Sequence, residues 1–274
     1  MRGEFLDVAG SRLYYYAAGS RGAGEPIILL HGFPTSGHLW TDVVPALPAG
    51  HRVVVLDLLG YGRSDPGAVG QLGIDAHADR LIGVIDQLGI ERACLVGHGV
   101  GGGVAQSAGV RFPHRVSRLC LVDSIAFDAW PTARAMLGRF LLKYGHYVPP
   151  GWVLSTARSE LMRGYLDQER GAHDADVFLR PFDGDGCLTL LRHVEAVTEA
   201  PSAASRRAQD ITAPTSVVWG AEDPVLSLSY GRALAASIPG STLHVIDGAS
   251  HFTPAEAGHS VAAALGALLS RPLG

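Results

Sequence analysis

Short, continuous apolar runs recur along the chain and are separated by longer segments of mixed polarity. Such runs are typical of strands that are buried on both faces. Because helical segments separate most of them, the pattern indicates an α/β chain whose sheet is mostly parallel and covered by helices. Eight strands are predicted in this way: Phe5–Val8, Arg12–Ala17, Ile27–Leu30, Arg52–Leu56, Ala93–Val96, Val116–Val122, Thr215–Trp219 and Thr242–Ile246.

Between the strands, apolar residues fall at helical spacing. The segment Ile74–Leu88 has apolar residues at positions 74, 78, 81, 82 and 85, with Asp75, Asp79 and Arg80 on the other face. Helices are predicted at Leu39–Ala46, Ile74–Leu88, Val100–Arg111, Leu226–Ser237 and Glu256–Leu269.

The alternation of strands and helices is interrupted once. It stops near Ala126 and resumes at Ile211, and the residues between are helix-rich, with a pair of prolines at 149–150 and a glycine-containing loop at 183–186. We therefore predict a core formed by residues 1–126 and 206–274 and an inserted helical cap formed by residues 127–205.

Composition narrows the class of protein. The 274 residues are 47% hydrophobic, which is enough for one large domain with a sizeable core. A net charge of −4 argues against nucleic acid and anionic membranes as partners. The three cysteines lack the spacing of a metal site or a disulfide framework, and no signal peptide or membrane span is evident. We expect a cytoplasmic monomer or homodimer that uses no metal or other cofactor.

The chemically most informative segment, Gly97-His98-Gly99-Val100-Gly101, lies between a predicted strand and a predicted helix. A strand, a sharp turn and a helix with the pattern Gly-x-nucleophile-x-Gly form the nucleophile elbow of a large group of hydrolases. The nucleophile position is Gly99, which has no side chain. Glycine relieves about 1–3 kcal/mol of backbone strain at such a turn. It also leaves room for a water molecule or a substrate atom.

Three further segments have the order that an elbow of this kind requires. The segment His31-Gly32-Phe33-Pro34 follows a predicted strand, and its turn can aim the Phe33 amide, together with the Val100 amide, at a developing oxyanion. Asp223 follows the seventh predicted strand, where a carboxylate can orient a histidine. His251 lies in the loop between the last strand and the last helix and is the predicted general base.

On these motifs the chain resembles the α/β-hydrolase superfamily over essentially its whole length. The His-Gly-Phe-Pro turn is similar to that of the epoxide hydrolase and dehalogenase branch, in which the elbow usually reads Gly-His-Asp-x-Gly. The resemblance implies an oxyanion hole at Phe33 and Val100, with Asp223 as the orienting acid and His251 as the base. It also implies an Asp nucleophile at the elbow, or a Ser as in esterases, and Gly99 departs from both.

Several side chains are open to more than one interpretation. Asp123, at the end of the strand Val116–Val122, is the alternative acid, because some dehalogenases use that position; it can also cap the following segment. His31 and His98 are interpreted as structural. In epoxide hydrolases a pair of cap tyrosines protonates the epoxide oxygen. Candidates for lining the substrate pocket are Trp40, Trp130, Tyr144, Tyr147, Trp152 and Tyr165.

The leading prediction is a cofactor-independent enzyme that hydrolyses a small, fairly apolar molecule, of the epoxide or ester type. Without an elbow nucleophile, the pair His251–Asp223 would act as general base, which contributes about 10²–10⁴-fold in rate. Three alternatives stay open. They are a lyase, cyclase or isomerase of secondary metabolism, a hydrolase disabled by the loss of its nucleophile, and a non-catalytic ligand-binding protein.

Overall fold

The computed structural model describes residues 3–19, 24–129, 149–199 and 204–273. The strands in these ranges are β1 (Glu4–Val8), β2 (Ser11–Gly19), β3 (Ile27–Leu30), β4 (Arg52–Leu56), β5 (Ala93–His98), β6 (Val116–Val122), β7 (Thr215–Gly220) and β8 (Thr242–Ile246). They form one sheet in the order β1-β2-β4-β3-β5-β6-β7-β8. Strand β2 is antiparallel to β1 and β4, and every other pairing is parallel.

Helices flank this sheet. The helices in the described ranges are α1 (Ile74–Gln87), α2 (Val100–Arg111), α3 (Pro150–Arg163), α4 (Gln168–Leu179), α5 (Cys187–Glu199), α6 (Leu228–Ser237), α7 (Thr253–Glu256) and α8 (Gly258–Leu269). Helix α2 contacts α1, β5 and β6, while α6 and α8 contact β7. Strands β3, β5, β6 and β7 consist entirely of buried residues, because helices and neighbouring strands cover them. The prediction of a mostly parallel, eight-stranded sheet flanked by helices is confirmed.

Two of the predicted helices are wrong in detail. Residues 39–46 do not form one α-helix but belong to two short 3-10 helices, Gly37–Trp40 and Val44–Ala46. Pro45 has no amide hydrogen and disfavours helical backbone in the residue before it, so a regular helix cannot run through this segment. The predicted helix Glu256–Leu269 is divided into α7 and α8, where Gly258 lies directly against the main chain of Asp42.

The segment between β6 and β7 contains α3, α4 and α5, in agreement with the helix-rich character predicted for residues 127–205. Residues 130–148 of this segment lie outside the described residues. The division into a core and a separate cap stays a prediction. Over the described ranges, no helix combines the length and the apolar character that crossing a membrane requires.

A buried arginine connects the middle of the sheet to distant parts of the chain. Arg118 in β6 is buried, and its guanidinium donates to the carbonyl oxygens of Leu268 at 3.1 Å and Arg271 at 2.5 Å. It also forms an ion pair with Glu25, just before β3. The pKa of Glu25 is nevertheless raised, because its burial outweighs the favourable charge of Arg118. The arginine therefore holds two segments onto one strand.

Replacing this arginine is expected to destabilise the fold. The substitution Arg118→Met keeps an apolar stem but leaves Glu25 without its ion-pair partner and removes the guanidinium donor to the carbonyls of Leu268 and Arg271. Leaving one member of a buried ion pair unpaired costs about 3–5 kcal/mol. Urea unfolding followed by circular dichroism measures the loss. The control is Arg118→Met combined with Glu25→Gln, which should recover part of it because no unpaired carboxylate remains. A loss below about 1 kcal/mol in the single variant would contradict the prediction.

Candidate active site

The elbow is a turn made possible by two glycines that flank it. A Cβ on Gly97 would lie 2.3 Å from the carbonyl oxygen of Gly101, and a Cβ on Gly101 would lie 2.4 Å from that of Leu30. Real Cβ atoms do not approach backbone oxygens so closely, so no other residue fits either position without displacing the main chain. Strand β5 can therefore end at His98 and α2 can begin at Val100, with a single residue between them.

That single residue is Gly99, with φ +53° and ψ −118°, in the left-handed region that strains L-residues. Space is not what excludes a side chain here. A Cβ built on Gly99 meets only the Cα of Gly32, at an ordinary 3.5 Å. The position is therefore sterically open to a small side chain, at a cost in backbone strain.

The two candidate oxyanion-hole amides belong to turns that lie side by side. Val100 is the first residue of α2, so its amide is one of those that a helix leaves without an intrahelical partner. Phe33 follows Gly32, whose carbonyl oxygen accepts from both the amide and the hydroxyl of Thr35 and so fixes the turn after β3. Their role as a pair of donors stays a prediction.

His251 and Asp223 are brought together as predicted from their order in the chain. His251 Nδ1 lies 2.8 Å from Asp223 Oδ2, and both side chains are buried, with exposures of 8% and 0%. The other carboxylate oxygen of Asp223 accepts from the amides of Val225 at 2.7 Å and Leu226 at 2.8 Å. These bonds fix the carboxylate against the end of β7.

This arrangement selects one tautomer of the imidazole. A carboxylate can only accept, so the proton of neutral His251 lies on Nδ1 and the lone pair lies on Nε2. A histidine held in this way can take a proton through Nε2 while the carboxylate stabilises the imidazolium that forms. The chemistry available is general-base catalysis.

The residue before Gly99 positions the base. His98 is fully buried, and its Nε2 bonds the carbonyl oxygen of His251 at 2.9 Å, while the two rings lie 4.9 Å apart. Burial, reinforced by the neighbouring His251, lowers the pKa of His98 well below its usual value. His98 is therefore neutral and donates its Nε2 proton. The interpretation of His98 as structural stays a prediction. The contact with the His251 carbonyl oxygen suggests what that role is, namely to hold the main chain of the histidine loop.

Asp123, the alternative acid, does not contact His251 in this arrangement. Its Oδ1 accepts from the amide of Gly220 at 2.8 Å, and its Oδ2 is buried without a hydrogen-bond partner among the described residues. Burial, together with the nearby charge of Asp223, raises the pKa of Asp123 well above its usual value. Asp123 therefore favours its neutral form, while Asp223 is the acid that contacts His251.

The three aromatic candidates among the described residues have different surroundings. Trp40 is buried in the hydrophobic core, and Trp152 is half exposed on the first turn of α3. Tyr165 donates its hydroxyl to Asp174 at 2.9 Å and stacks on Phe252, the neighbour of His251, with centroids 4.6 Å apart. Three further candidates lie outside the described residues, namely Trp130, Tyr144 and Tyr147.

Sequence reasoning missed the residues that hold the histidine loop. Glu256 Oε2 accepts from the amide of Ser250 at 2.9 Å, while its Oε1 accepts from the amide of Leu166 at 2.6 Å. The amide of Phe252 donates to Gly164 at the end of α3. These contacts join the loop of His251 to the segment between β6 and β7. No local sequence signal marks them, because each depends on tertiary proximity.

A single group of potential metal ligands occurs in the described part of the chain, and it includes neither His251 nor Asp223. It consists of His38, His173 and Asp174.

Known proteins resemble the chain over most of its length. The model of the alpha/beta hydrolase fold family matches residues 25–257. A 2-hydroxy-6-oxononadienedioate/2-hydroxy-6-oxononatrienedioate hydrolase of Pseudomonas putida is 29% identical over 88% of this chain and 85% of its own length.

Two solved structures show the same likeness. Est816, an N-acyl homoserine lactone degrading enzyme, is 28% identical with a TM-score of 0.73, and the match covers 96% of this chain and 98% of Est816. The A129V mutant of the meta-cleavage product hydrolase CumD is 25% identical with a TM-score of 0.77 and covers 97% of each chain. None of the three relatives is named an epoxide hydrolase or dehalogenase, so that finer resemblance stays a prediction. The broader resemblance, to the superfamily, is confirmed, and the chain belongs to the alpha/beta hydrolase fold family.

Proposed function

We propose that the chain is a hydrolase that activates water by general-base catalysis and forms no covalent intermediate at the elbow. The observation that carries this proposal is the 2.8 Å contact between His251 Nδ1 and Asp223 Oδ2 in a chain whose elbow residue is Gly99. The pair supplies an oriented base. Because glycine supplies no attacking atom, the attacking oxygen comes from water.

In the proposed reaction, His251 Nε2 takes a proton from water, and the oxygen of that water adds to a carbonyl carbon of the substrate. The amides of Phe33 and Val100 donate to the negative oxygen of the adduct, and one such donor is worth about 3 kcal/mol. When the adduct collapses, the bond to the leaving group breaks and the leaving group takes the proton from the imidazolium. One water is consumed, and a carboxylic acid and a protonated leaving group are released.

Known magnitudes make such an enzyme feasible. General-base catalysis contributes about 10²–10⁴-fold. An oxyanion hole and substrate binding retain about 10³–10⁴-fold over water when a protease loses a member of its triad. Even if the two effects overlap in part, turnover without a nucleophile is physically reasonable.

A small carbonyl compound is the substrate class that the named relatives favour. The Pseudomonas putida relative is named for a 6-oxo compound and Est816 for a lactone, and both contain a carbonyl group. Opening an epoxide requires an acid beside its oxygen, which tyrosines supply in epoxide hydrolases. Tyr165 already donates its hydroxyl to Asp174, and burial together with that carboxylate raises its pKa. Tyr165 is therefore a poor acid for an epoxide.

One observation favours a second candidate function. A lyase, cyclase or isomerase that begins by removing a proton from carbon needs a base and an oxyanion hole but no nucleophile, and Gly99 removes only the nucleophile. The mass of the product separates the two functions. Hydrolysis adds one water to the substrate, whereas isomerisation leaves its mass unchanged.

The base is expected to control turnover. On a panel of lactones, activated aryl esters and 2-hydroxy-6-oxo dienoates, His251→Ala should lower kcat/KM about 10²–10⁴-fold. Asp223→Asn should lower kcat/KM by a similar factor. The oxygen of the asparagine still accepts from the amides of Val225 and Leu226, but its NH₂ group donates to His251 Nδ1, so the imidazole proton moves to Nε2 and the base loses its lone pair there.

Asp123→Asn is the matched control for that measurement. It mimics a neutral carboxylic acid and keeps the oxygen that accepts from Gly220, so kcat/KM should fall less than about tenfold. An active enzyme that is insensitive to His251→Ala, or one more sensitive to Asp123→Asn than to Asp223→Asn, would exclude the proposed base.

The elbow position gives an independent prediction. Gly99→Ala creates no steric clash, but it places a Cβ on a residue with positive φ. The substitution should therefore lower the free energy of unfolding by about 1–2 kcal/mol. Its methyl group also occupies the space proposed for the attacking water, so kcat should fall. Thermal unfolding and product analysis measure the two effects, with Gly99→Ser as the companion variant. Activity in Gly99→Ser together with an inactive parent chain would instead identify a hydrolase disabled by loss of its nucleophile.

The raised pKa of Asp123 predicts a pH-dependent gain in stability on Asp123→Asn. An acid whose pKa is higher in the folded chain than in the unfolded chain binds more protons when folded, so the fold loses stability as pH rises above about 4, the unfolded value. Asparagine removes this penalty. The variant should match the parent chain near pH 4 and exceed its free energy of unfolding by about 1 kcal/mol or more at pH 8. Urea titrations at both pH values test this, and equal stability at both would refute it.

A further inference from the structure

A second cluster of chemically reactive side chains lies outside the His251 site. His38 belongs to the 3-10 helix Gly37–Trp40 after β3, while His173 and Asp174 are adjacent residues of α4. Each of the three offers one ligand atom, and these atoms all lie within 4.8 Å of one another. The cluster therefore joins the segment between β6 and β7 to the turn that follows β3.

The carboxylate of Asp174 is only half satisfied. Its side chain has no exposed surface, and its Oδ2 accepts from Tyr165 at 2.9 Å and from Arg170 Nε at 2.8 Å. Its Oδ1 is buried without a hydrogen bond, and the nearest basic atom is His38 Nε2 at 3.5 Å. Buried carboxylate oxygens are normally paired, so this oxygen indicates a missing partner.

The imidazole of His38 is oriented toward that oxygen. Its Nδ1 lies 3.4 Å from the hydroxyl oxygen of Thr41, and that hydroxyl donates its own proton to the main-chain oxygen of His38 at 2.6 Å. The oxygen of Thr41 can therefore only accept from Nδ1–H. The lone pair of neutral His38 then lies on Nε2 and faces Asp174 Oδ1. At 3.5 Å, either a proton on Nε2 or a metal ion bound by both atoms satisfies this pair of facing acceptors.

The charge of Arg170 does not fill this position. Arg170 binds the opposite oxygen of Asp174 and also Asp42, at 2.9 Å. It neutralises part of the local negative charge, but it binds Oδ2 and leaves Oδ1 facing His38 Nε2.

We propose that His38, His173 and Asp174 bind a divalent transition metal ion, with zinc as the best match. Two imidazole nitrogens and one carboxylate oxygen are ligands that zinc accepts, at distances of about 2.0–2.2 Å. Ligand atoms on a tetrahedral ion with such bonds lie about 3.4 Å apart, close to the observed 3.5 Å between His38 Nε2 and Asp174 Oδ1. His173 is exposed and free of core packing, so its side chain can close the remaining distance.

The binding of this ion would have a defined structural effect. Three protein ligands leave at least one coordination position for water, as in open zinc sites. The ion would tie α4 to the turn after β3, which also carries Phe33. The hydroxyl of Thr41 beside Nδ1 would act as the outer partner that metal-bound histidines usually have.

The test uses the full chain without an affinity tag, stripped of metal with a chelator and titrated with Co²⁺. The visible absorption of Co²⁺ reports its ligands directly, without any enzyme assay. We expect about one equivalent to bind per chain, Zn²⁺ to displace it, and saturating Zn²⁺ to raise the melting temperature by at least about 3 °C. His173→Ala and His38→Ala should each weaken Co²⁺ binding at least about tenfold.

The matched control is His114→Ala, which removes another exposed histidine, from the 3-10 helix Pro113–Arg115, and should bind Co²⁺ like the parent chain. His173 is exposed, so a folding defect is not expected in its variant, and circular dichroism checks this. Two outcomes would overturn the proposal. One is a parent chain without a Co²⁺ spectrum, and the other is an unchanged spectrum in His173→Ala. Either would mean that His38 and Asp174 form only an ion pair.

Discussion

The close passage of main chain against main chain at the elbow is the constraint on which the candidate site depends. Gly97 and Gly101 let β5, α2 and the end of β3 approach within distances that no Cβ permits. The turn after β3 and the start of α2 are therefore neighbours, and their amides lie on adjacent turns. His98, held in the same turn, carries this geometry to the base by bonding the main chain of His251. The elbow turn is therefore held beside the predicted base, and the residue at the centre of that turn is itself a glycine.

The electrostatics of the site follow from the same crowding. Burial keeps His98 neutral and disfavours a charge on Asp123, and the carboxylate in contact with His251 is that of Asp223. A single carboxylate, fixed by two amides and directed at Nδ1, is what a general base needs, since a second negative charge would hold the proton too tightly. Asp123 therefore joins the ends of β6 and β7 by accepting from the amide of Gly220, and it adds no charge beside the predicted base.

Much of this could be predicted from the sequence because the responsible signals are local. A continuous apolar run such as Ile27–Leu30 specifies a buried strand, and the observed strand has those bounds. The order of elbow, acid and histidine was enough to expect the contact of His251 with Asp223. The prediction of a helix at residues 39–46 is wrong because Pro45 restricts the backbone there and has no amide hydrogen to donate.

Signals that arise only in three dimensions could not be predicted. The residue type of Tyr165 predicts a place in the pocket, which stays a prediction, but does not reveal that its hydroxyl donates to Asp174 and its ring stacks on Phe252. His38 lies far from His173 and Asp174 in the chain, and an adjacent histidine and aspartate are too common in sequences to indicate a metal site. Only the docking of α4 beside the turn after β3 makes them a cluster.

The guanidinium of Arg118 has a consequence for how the protein is made. The carbonyl of Leu268 that it binds lies 150 residues later in the chain. At about 5–20 residues per second, a ribosome needs about 8–30 s to reach that residue after synthesising β6. Throughout this interval the nascent chain carries a cation in a strand that will be completely buried. During this interval Glu25 can already pair with the guanidinium, whereas the two carbonyl oxygens that it also binds are added only when residues 268 and 271 are made.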